Sequence, residues 1–188
     1  MIYWFKNLPP KSFDDNVWKP VIPYKWLRKN FMVAVYVLQF LLLVIFMIYV
    51  KNIQNVMKGD LNLQISIPQS LIYISLIAII IIHEMLHIAV IFNKGDFSIT
   101  FHNLFFWIAT NAELSKLRYF IFIFLPLLIL TVIPFIISLF IFNDLKYILK
   151  IYSLFNLLIS SADVINTVFV LSKPNKAIFD SGMYHVKT

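Results

Sequence analysis

Four long apolar segments constrain this chain more than any other feature of its sequence. The hydrocarbon core of a bilayer is about 30 Å thick, and a helix needs about 20 mostly apolar residues to cross it. Segments of that length cover residues 31–50, 71–92, 119–142 and 148–171. We therefore predict an all-α integral membrane protein with about four transmembrane helices.

The composition excludes the main alternatives to a membrane protein. Of 188 residues, 61% are hydrophobic and 13% are charged, whereas soluble domains average about 45–50% and about 25%. The net charge of +7 fits basic loops that face anionic lipid headgroups, and we expect no nucleic-acid partner. Since the chain has no cysteine, any metal ion would be held by His, Asp or Glu.

The distribution of Lys and Arg predicts how the chain is oriented in the cell membrane. Twelve of these cations lie before the first span, between the second and third spans, and after the fourth; the other two loops hold four. Basic loops stay on the cytoplasmic side, so both termini are predicted to be cytoplasmic. We expect an irregular interfacial or cytoplasmic arm at 1–30, a four-helix membrane domain at 31–171 and a cytoplasmic tail at 172–188. The abundance of Ile, Phe, Asn and Lys indicates an AT-rich, bacterial coding sequence.

The segment between the second and third spans has a different pattern. Residues 97–102 alternate between apolar and polar, and residues 105–110 are aromatic and β-branched. Asn103 and Leu104 could form the turn between them. A short β-hairpin or re-entrant segment is therefore predicted here.

The sequence His83-Glu84-Met85-Leu86-His87 lies inside the second span and forms an HExxH motif. Side chains four residues apart share a helix face, so both imidazoles can reach one cation, with Glu84 beside them as a general base for a bound water. A shuffled chain of this composition would contain the motif on the order of once in a thousand. Ionisable groups within a membrane helix cost about 2.5–3.5 kcal/mol each, which favours a divalent cation as their partner. The alternative is a polar patch that packs helices together.

A zinc site of this kind needs a third protein ligand, and Asp163 is the best candidate. Counted from the cytoplasmic ends of their spans, Asp163 and the two histidines lie at a similar depth, about 8–14 Å inside. Asp163 could instead pair with Lys150 or make an interhelical hydrogen bond. His102 and Glu113 are the other candidates for the third ligand.

Asn156 lies two helical turns before Asp163, on the same face. Its amide could orient a substrate or stabilise an oxyanion, or it could make a hydrogen bond between helices.

These features resemble those of intramembrane zinc metalloproteases of the site-2 type, which combine HExxH in one span with a late Asp in another. A closer resemblance is to small bacterial membrane proteins described as putative zincin peptidases, and it covers about residues 70–185. It rests on Leu114-Ser115-Lys116 leading into Pro126, Ser160-Ser161-Ala162-Asp163, Lys173-Pro174 and Asp180-Ser181-Gly182. The chain departs from the site-2 pattern because Asn156 precedes Asp163 by seven residues instead of eight, without an intervening proline, and Val164 replaces a glycine.

The motif and the resemblance together imply a membrane-embedded zinc endopeptidase. Zn²⁺ would be held by His83, His87 and Asp163, Glu84 would be the base, and the substrate would be a membrane protein or a peptide. Two alternatives stay open: a non-enzymatic zinc-binding scaffold or regulator, and a metal transporter. Glu84 disfavours the transporter, which needs no base between its ligands.

Overall fold

The computed structural model of the chain describes residues 2–4, 18–21, 25–59, 69–102, 105–142, 145–180 and 183–187, which are mostly helical. Apolar runs favour helices in a bilayer because every backbone N–H and C=O must find its partner within the segment. The helices are α1 (Lys25–Gly59), α2 (Gln69–Ile91), α3 (Lys116–Leu127), a π-helical turn (Leu128–Val132), α4 (Ile133–Phe140), α5 (Leu145–Ile159) and α6 (Ser161–Leu171).

Three of the four predicted spans are unbroken helices that are long and apolar enough to cross a membrane. They cover Asn30–Gln54, Ser70–Ile91 and Lys116–Phe140. Large apolar side chains are exposed along these runs, as expected for surroundings of hydrocarbon. The fourth segment differs from the prediction, since α5 and α6 meet at an angle of 66°, which makes it a broken span or a re-entrant loop.

Seven short strands among the described residues make the prediction of an all-α fold too narrow. They are β1 (Ile2–Trp4), β2 (Trp18–Val21), β3 (Phe97–His102), β4 (Phe105–Thr110), β5 (Leu114–Ser115), β6 (Ile178–Asp180) and β7 (Met183–Lys187). One sheet has the order β1-β3-β4 and the other has the order β2-β7-β6-β5.

The predicted strand pair between the second and third spans is confirmed. Strands β3 and β4 are antiparallel, with Phe97 opposite Thr110 and His102 opposite Phe105. The alternating and β-branched residues that predicted these strands favour a pleated backbone. The predicted turn at Asn103 and Leu104 lies outside the described residues.

The N-terminal arm contains regular secondary structure, whereas the sequence predicts an irregular arm. Strand β1 pairs in parallel with β3, β2 pairs antiparallel with β7, and α1 already begins at Lys25. Pro20 fits within β2 because β2 is the edge strand of its sheet and need not donate on both sides. The partners of both strands are distant in sequence, so no local pattern predicts the pairing. The cytoplasmic location of the arm and of the tail stays a prediction.

The first of two compact units comprises Met1–Phe31, Glu84–Phe124 and Asn166–Thr188. Within it, Tyr119 stacks on the buried Phe179 ring, with 4.5 Å between the ring centroids. The buried apolar core of this unit consists of Ile91, Phe97, Ala112, Leu114, Phe122, Ile123, Val170, Ala177 and Phe179.

The second unit comprises Met32–His83 and Leu125–Ile165. Here the hydroxyl groups of Ser75 and Tyr152 share a hydrogen bond, and the rings of Phe46 and Phe155 lie 6.4 Å apart. Helices α2, α3 and α6 each continue from one unit into the other, so residues that follow one another on these helices keep helical spacing.

Candidate metal centre

Helix α2 places His83 and His87 one turn apart on one face, and both are buried, with exposed fractions of 4% and 6%. Glu84, the next residue on the helix, is half-buried. Buried imidazoles need defined polar partners, because an unpaired polar group away from water is costly. The partners of the two rings therefore decide what each can bind.

Asp163 lies in the first turn of α6, just after the break that follows α5. A carboxylate is favoured there because the first turn of a helix carries a partial positive charge. Its Oδ2 atom lies 3.1 Å from Nε2 of His83. The bend therefore brings to α2 the carboxylate that the sequence predicted as the third ligand.

Asn156 determines which nitrogen of His83 carries a proton. The Nδ2 group of Asn156 lies 3.3 Å from the carbonyl oxygen of Pro126 and 2.9 Å from Oγ1 of Thr131. A carbonyl can only accept, so this end of the amide is the NH₂ group, and Oδ1 faces His83 Nδ1 at 3.0 Å. Nδ1 must then be the donor, which leaves Nε2 with a lone pair in the neutral ring.

His87 is oriented in the same way by a backbone carbonyl. Its Nδ1 lies 2.6 Å from the carbonyl oxygen of Phe122, which can only accept, so Nδ1–H donates. The Phe122 ring also packs against the imidazole, with centroids 4.8 Å apart. Nε2 of His87 is therefore also a lone-pair donor for a metal, in the arrangement typical of metal-ligating histidines.

The resulting donor set fits zinc. His83, His87 and Asp163 each offer one ligand atom, and these atoms all lie within 4.8 Å of one another. Ligand atoms that share a tetrahedral zinc at about 2.0–2.2 Å lie about 3.3 Å apart. The lone pair of neutral His83 Nε2 and the Asp163 carboxylate oxygen, only 3.1 Å apart, repel each other unless a metal ion or a proton lies between them. Two imidazoles and one carboxylate are an established ligand set for catalytic zinc.

Other residues singled out in the sequence have other positions. Glu113 is exposed and does not belong to the metal-ligating group found among the described side chains. The side chain of His102 lies outside those described. Ser160 is fully buried, with Oγ 3.4 Å from His83 Nδ1, and Ser161 donates to the carbonyl oxygen of Leu158 at 2.6 Å.

Sequence reasoning missed the residues that orient the imidazoles. Phe122 contacts His87 directly, and Pro126 and Thr131 contact Asn156, which in turn contacts His83. A signal was present, since a proline inside a helix leaves the carbonyl four residues earlier without its usual donor. The sequence could not reveal which side chain would take that carbonyl. It also left open whether Asn156 contacts a substrate or another helix, and all three contacts described for its side chain are with the protein itself.

Comparison with known proteins identifies a family. A protein-family model described as a putative zincin peptidase matches residues 76–178. This range includes the HExxH motif, the strand pair and Asp163. None of the curated proteins or solved structures compared matches the chain.

Proposed function

The chain belongs to the putative zincin peptidase family, and from this premise we propose that it is a membrane-embedded zinc endopeptidase related to the site-2 type. The observation that carries the proposal is the distance of 3.1 Å between Nε2 of His83 and Oδ2 of Asp163. His83 lies on α2, which also bears Glu84 and His87. A packing patch would need no second histidine one turn away, oriented by a hydrogen bond of its own.

The ligand roles follow from the hydrogen bonds of the rings. His83 and His87 would use Nε2, because their Nδ1 atoms already donate to Asn156 and to the Phe122 carbonyl. Asp163 would supply a carboxylate oxygen. Zinc held there would polarise a peptide carbonyl and lower the pKa of a bound water.

Glu84 is the proposed general base. It follows His83 directly, so its side chain leaves α2 about 100° around the helix from that ligand. In this position its carboxylate accepts a proton from the attacking water and returns it to the nitrogen of the leaving amine. Asp163 cannot take this role while it is a ligand.

The strand pair that follows the motif in the sequence is the proposed binding element for the substrate. In the sheet order β1-β3-β4, strand β4 has no neighbour on its outer edge among the described strands. An extended peptide could add to that edge through main-chain hydrogen bonds. A substrate helix must unwind before hydrolysis, and such an edge would replace the hydrogen bonds that it loses.

Substitution of Glu84 by Gln tests the proposal most directly. The change keeps the size of the side chain but removes the base, so zinc content should stay near that of the wild type. Cleavage should fall by roughly 10²–10⁴-fold, the usual contribution of a general base. Zinc is measured on the purified protein, and cleavage is measured as new N-termini in the membrane proteins of host cells that make either form.

The control is His83→Ala, which should lose both zinc and cleavage. Equal sets of new N-termini from wild type and Glu84→Gln would contradict the assignment of the base. Stoichiometric zinc with no cleavage by the wild type would instead support a scaffold or regulator. Zinc flux into proteoliposomes would support a transporter.

A further inference from the structure

We propose that Pro126 is a positioning residue that sets the metal-binding form of both histidines at once. It leaves the Phe122 carbonyl available to His87, and its own carbonyl fixes the Asn156 amide that holds His83. The inference rests on the proposed zinc site, and it assigns a role that neither the motif nor the family description contains.

Pro126 lacks the backbone N–H that other residues in a helix donate. In an α-helix, each N–H donates to the carbonyl four residues earlier. Position 126 lies inside α3 and has no N–H to offer to the carbonyl of Phe122. That carbonyl instead accepts from His87 Nδ1 at 2.6 Å. Any other residue at 126 would restore a competing donor.

The carbonyl of Pro126 orients the Asn156 amide. It accepts from Asn156 Nδ2 at 3.3 Å, and Thr131 Oγ1 lies 2.9 Å from the same nitrogen. These two oxygens engage the NH₂ end of the amide, so Oδ1 must face His83. Because Asn156 is fully buried, reversing the amide would set its NH₂ group against the His83 ring and leave the Pro126 carbonyl without this donor.

The helix is irregular in the turn that follows Pro126. Residues Leu128–Val132 form a π-helical turn, in which the N–H of Ile133 donates to the carbonyl of Leu128, five residues earlier. Thr131, whose hydroxyl oxygen contacts the Asn156 amide, lies on this turn. Single π-helical turns inside helices are frequent at functional sites, and this one lies between Pro126 and Pro134. The irregular segment from Pro126 to the π-helical turn therefore contains the groups that orient the histidines.

Zinc affinity is the quantity that this arrangement should control. Loss of the hydrogen-bond partner of a metal-ligating histidine typically lowers metal affinity by about 10–100-fold. Pro126→Ala restores the N–H that competes with His87 for the Phe122 carbonyl, so its zinc Kd should rise by about that factor. The matched control is Pro134→Ala, which also restores a helical N–H but lies beyond the π-helical turn. Its Kd should stay within a few-fold of the wild type.

The experiment is a titration of the purified full-length apoprotein with zinc in detergent, in competition with a chromogenic chelator. Circular dichroism before titration checks that each variant keeps its helices. The visible absorption of the Co²⁺-loaded forms then reports the ligand geometry independently of peptidase activity. We expect an altered Co²⁺ spectrum for Pro126→Ala and an unchanged one for Pro134→Ala.

A pair of substitutions at Asn156 tests the second contact, even if Pro126→Ala does not fold. Asn156→Asp keeps an oxygen that can accept from His83 Nδ1 and, when its carboxyl is protonated, an O–H that can donate to the Pro126 carbonyl, whereas Asn156→Ala has neither. The Asp variant should therefore keep its zinc Kd within a few-fold, and the Ala variant should lose about 10–100-fold.

Two results would overturn the inference while leaving the proposed function intact. One is a zinc Kd for Pro126→Ala equal to that of Pro134→Ala. The other is an equal loss of affinity in Asn156→Asp and Asn156→Ala. A wild-type protein that binds no zinc would instead overturn the proposed function, so the two failures can be told apart.

Discussion

Asp163 is the only proposed ligand outside the HExxH motif, so the assignment of the whole site depends on it. Its position at the start of α6 combines two effects. The helix N-terminus favours a charged carboxylate, and the lone pair of neutral His83 Nε2 at 3.1 Å disfavours one unless a metal ion or a proton lies between them.

We therefore expect Asp163→Ala to weaken zinc binding more than any of the substitutions at the hydrogen-bond partners of the histidines. The zinc Kd should rise by more than about 100-fold, beyond the effect of losing an outer partner. Zinc content after dialysis against a chelator measures this. Glu113→Ala is the matched control, because Glu113 is exposed and outside the metal-ligating group. Loss of zinc in Glu113→Ala but not in Asp163→Ala would contradict the ligand set.

The grouping of His83, His87 and Asp163 could be predicted from the sequence because helix geometry and the depth of each residue in its span relate them. Four residues separate His83 from His87, and counting residues from the ends of two spans places Asp163 at their depth. The role of Asn156 could not be predicted in the same way. It depends on the direction of the amide, which is fixed by the carbonyl of Pro126 and the hydroxyl of Thr131 on another helix.

At the scale of elements, the break between α5 and α6 is the feature that the hydropathy pattern concealed. The apolar run of residues 148–171 predicts the length of a span but not its direction. The hydroxyl of Ser161 donates to the Leu158 carbonyl across the break. The backbone hydrogen bonds continue through the break, from Ser160 N–H to the Asn156 carbonyl and from Val164 N–H to the Ser160 carbonyl.

The turn that follows α2 is a second element with a geometric requirement. Asn93 ends the helix with a φ of 60°, in the left-handed region. The backbone N–H of Asp96 then donates to Asn111 Oδ1 at 2.8 Å, and the hydroxyl of Thr110 donates to the Asp96 carbonyl at 2.9 Å. These bonds attach the end of the helix that bears the motif to strand β4.

Gly95 lies in this turn with no room for a side chain. A Cβ atom there would lie 2.8 Å from Asn111 Oδ1 and 3.0 Å from the backbone of Ala112. We expect Gly95→Ala to destabilise the protein by about 1–3 kcal/mol, the usual cost of overpacking. Thermal unfolding in detergent, followed by tryptophan fluorescence, would show a lower midpoint. The exposed neighbour provides the control Lys94→Ala, and equal midpoints for the two variants would contradict this account of the turn.

At the scale of the whole molecule, the strand pairings bring three distant parts of the chain together within the first unit. Strand β1 pairs with β3, β2 pairs with β7, and β5 pairs with β6. The sequence predicted from its basic residues that the arm, the segment after α2 and the tail share one side of the membrane. It could not predict that they share sheets, because strands this far apart in sequence leave no local pattern.

The contacts of Lys116 favour a broken span over a re-entrant loop for α5 and α6. Lys116 begins α3, and its ammonium group donates to the carbonyl oxygens of Leu171 and Lys173 and to Asn175 Oδ1. The end of α6 therefore lies beside the start of α3. If the chain crosses the membrane once along Lys116–Phe140, it has to cross it again to reach this position, and we therefore predict an even number of spans.

Labelling with a maleimide that cannot cross membranes tests this topology, and the cysteine-free sequence allows single substitutions without background. Suitable positions are the exposed Lys94 and Lys176 and, between α4 and α5, Phe142, which is 91% exposed. In intact cells only Phe142→Cys should react, and all three variants should react after permeabilisation. The wild-type chain is the unlabelled control. Reaction of Lys176→Cys together with Phe142→Cys would make α5 and α6 a re-entrant loop. Reaction of Lys94→Cys and Lys176→Cys without Phe142→Cys would keep the number of spans but reverse the orientation, against the distribution of basic residues.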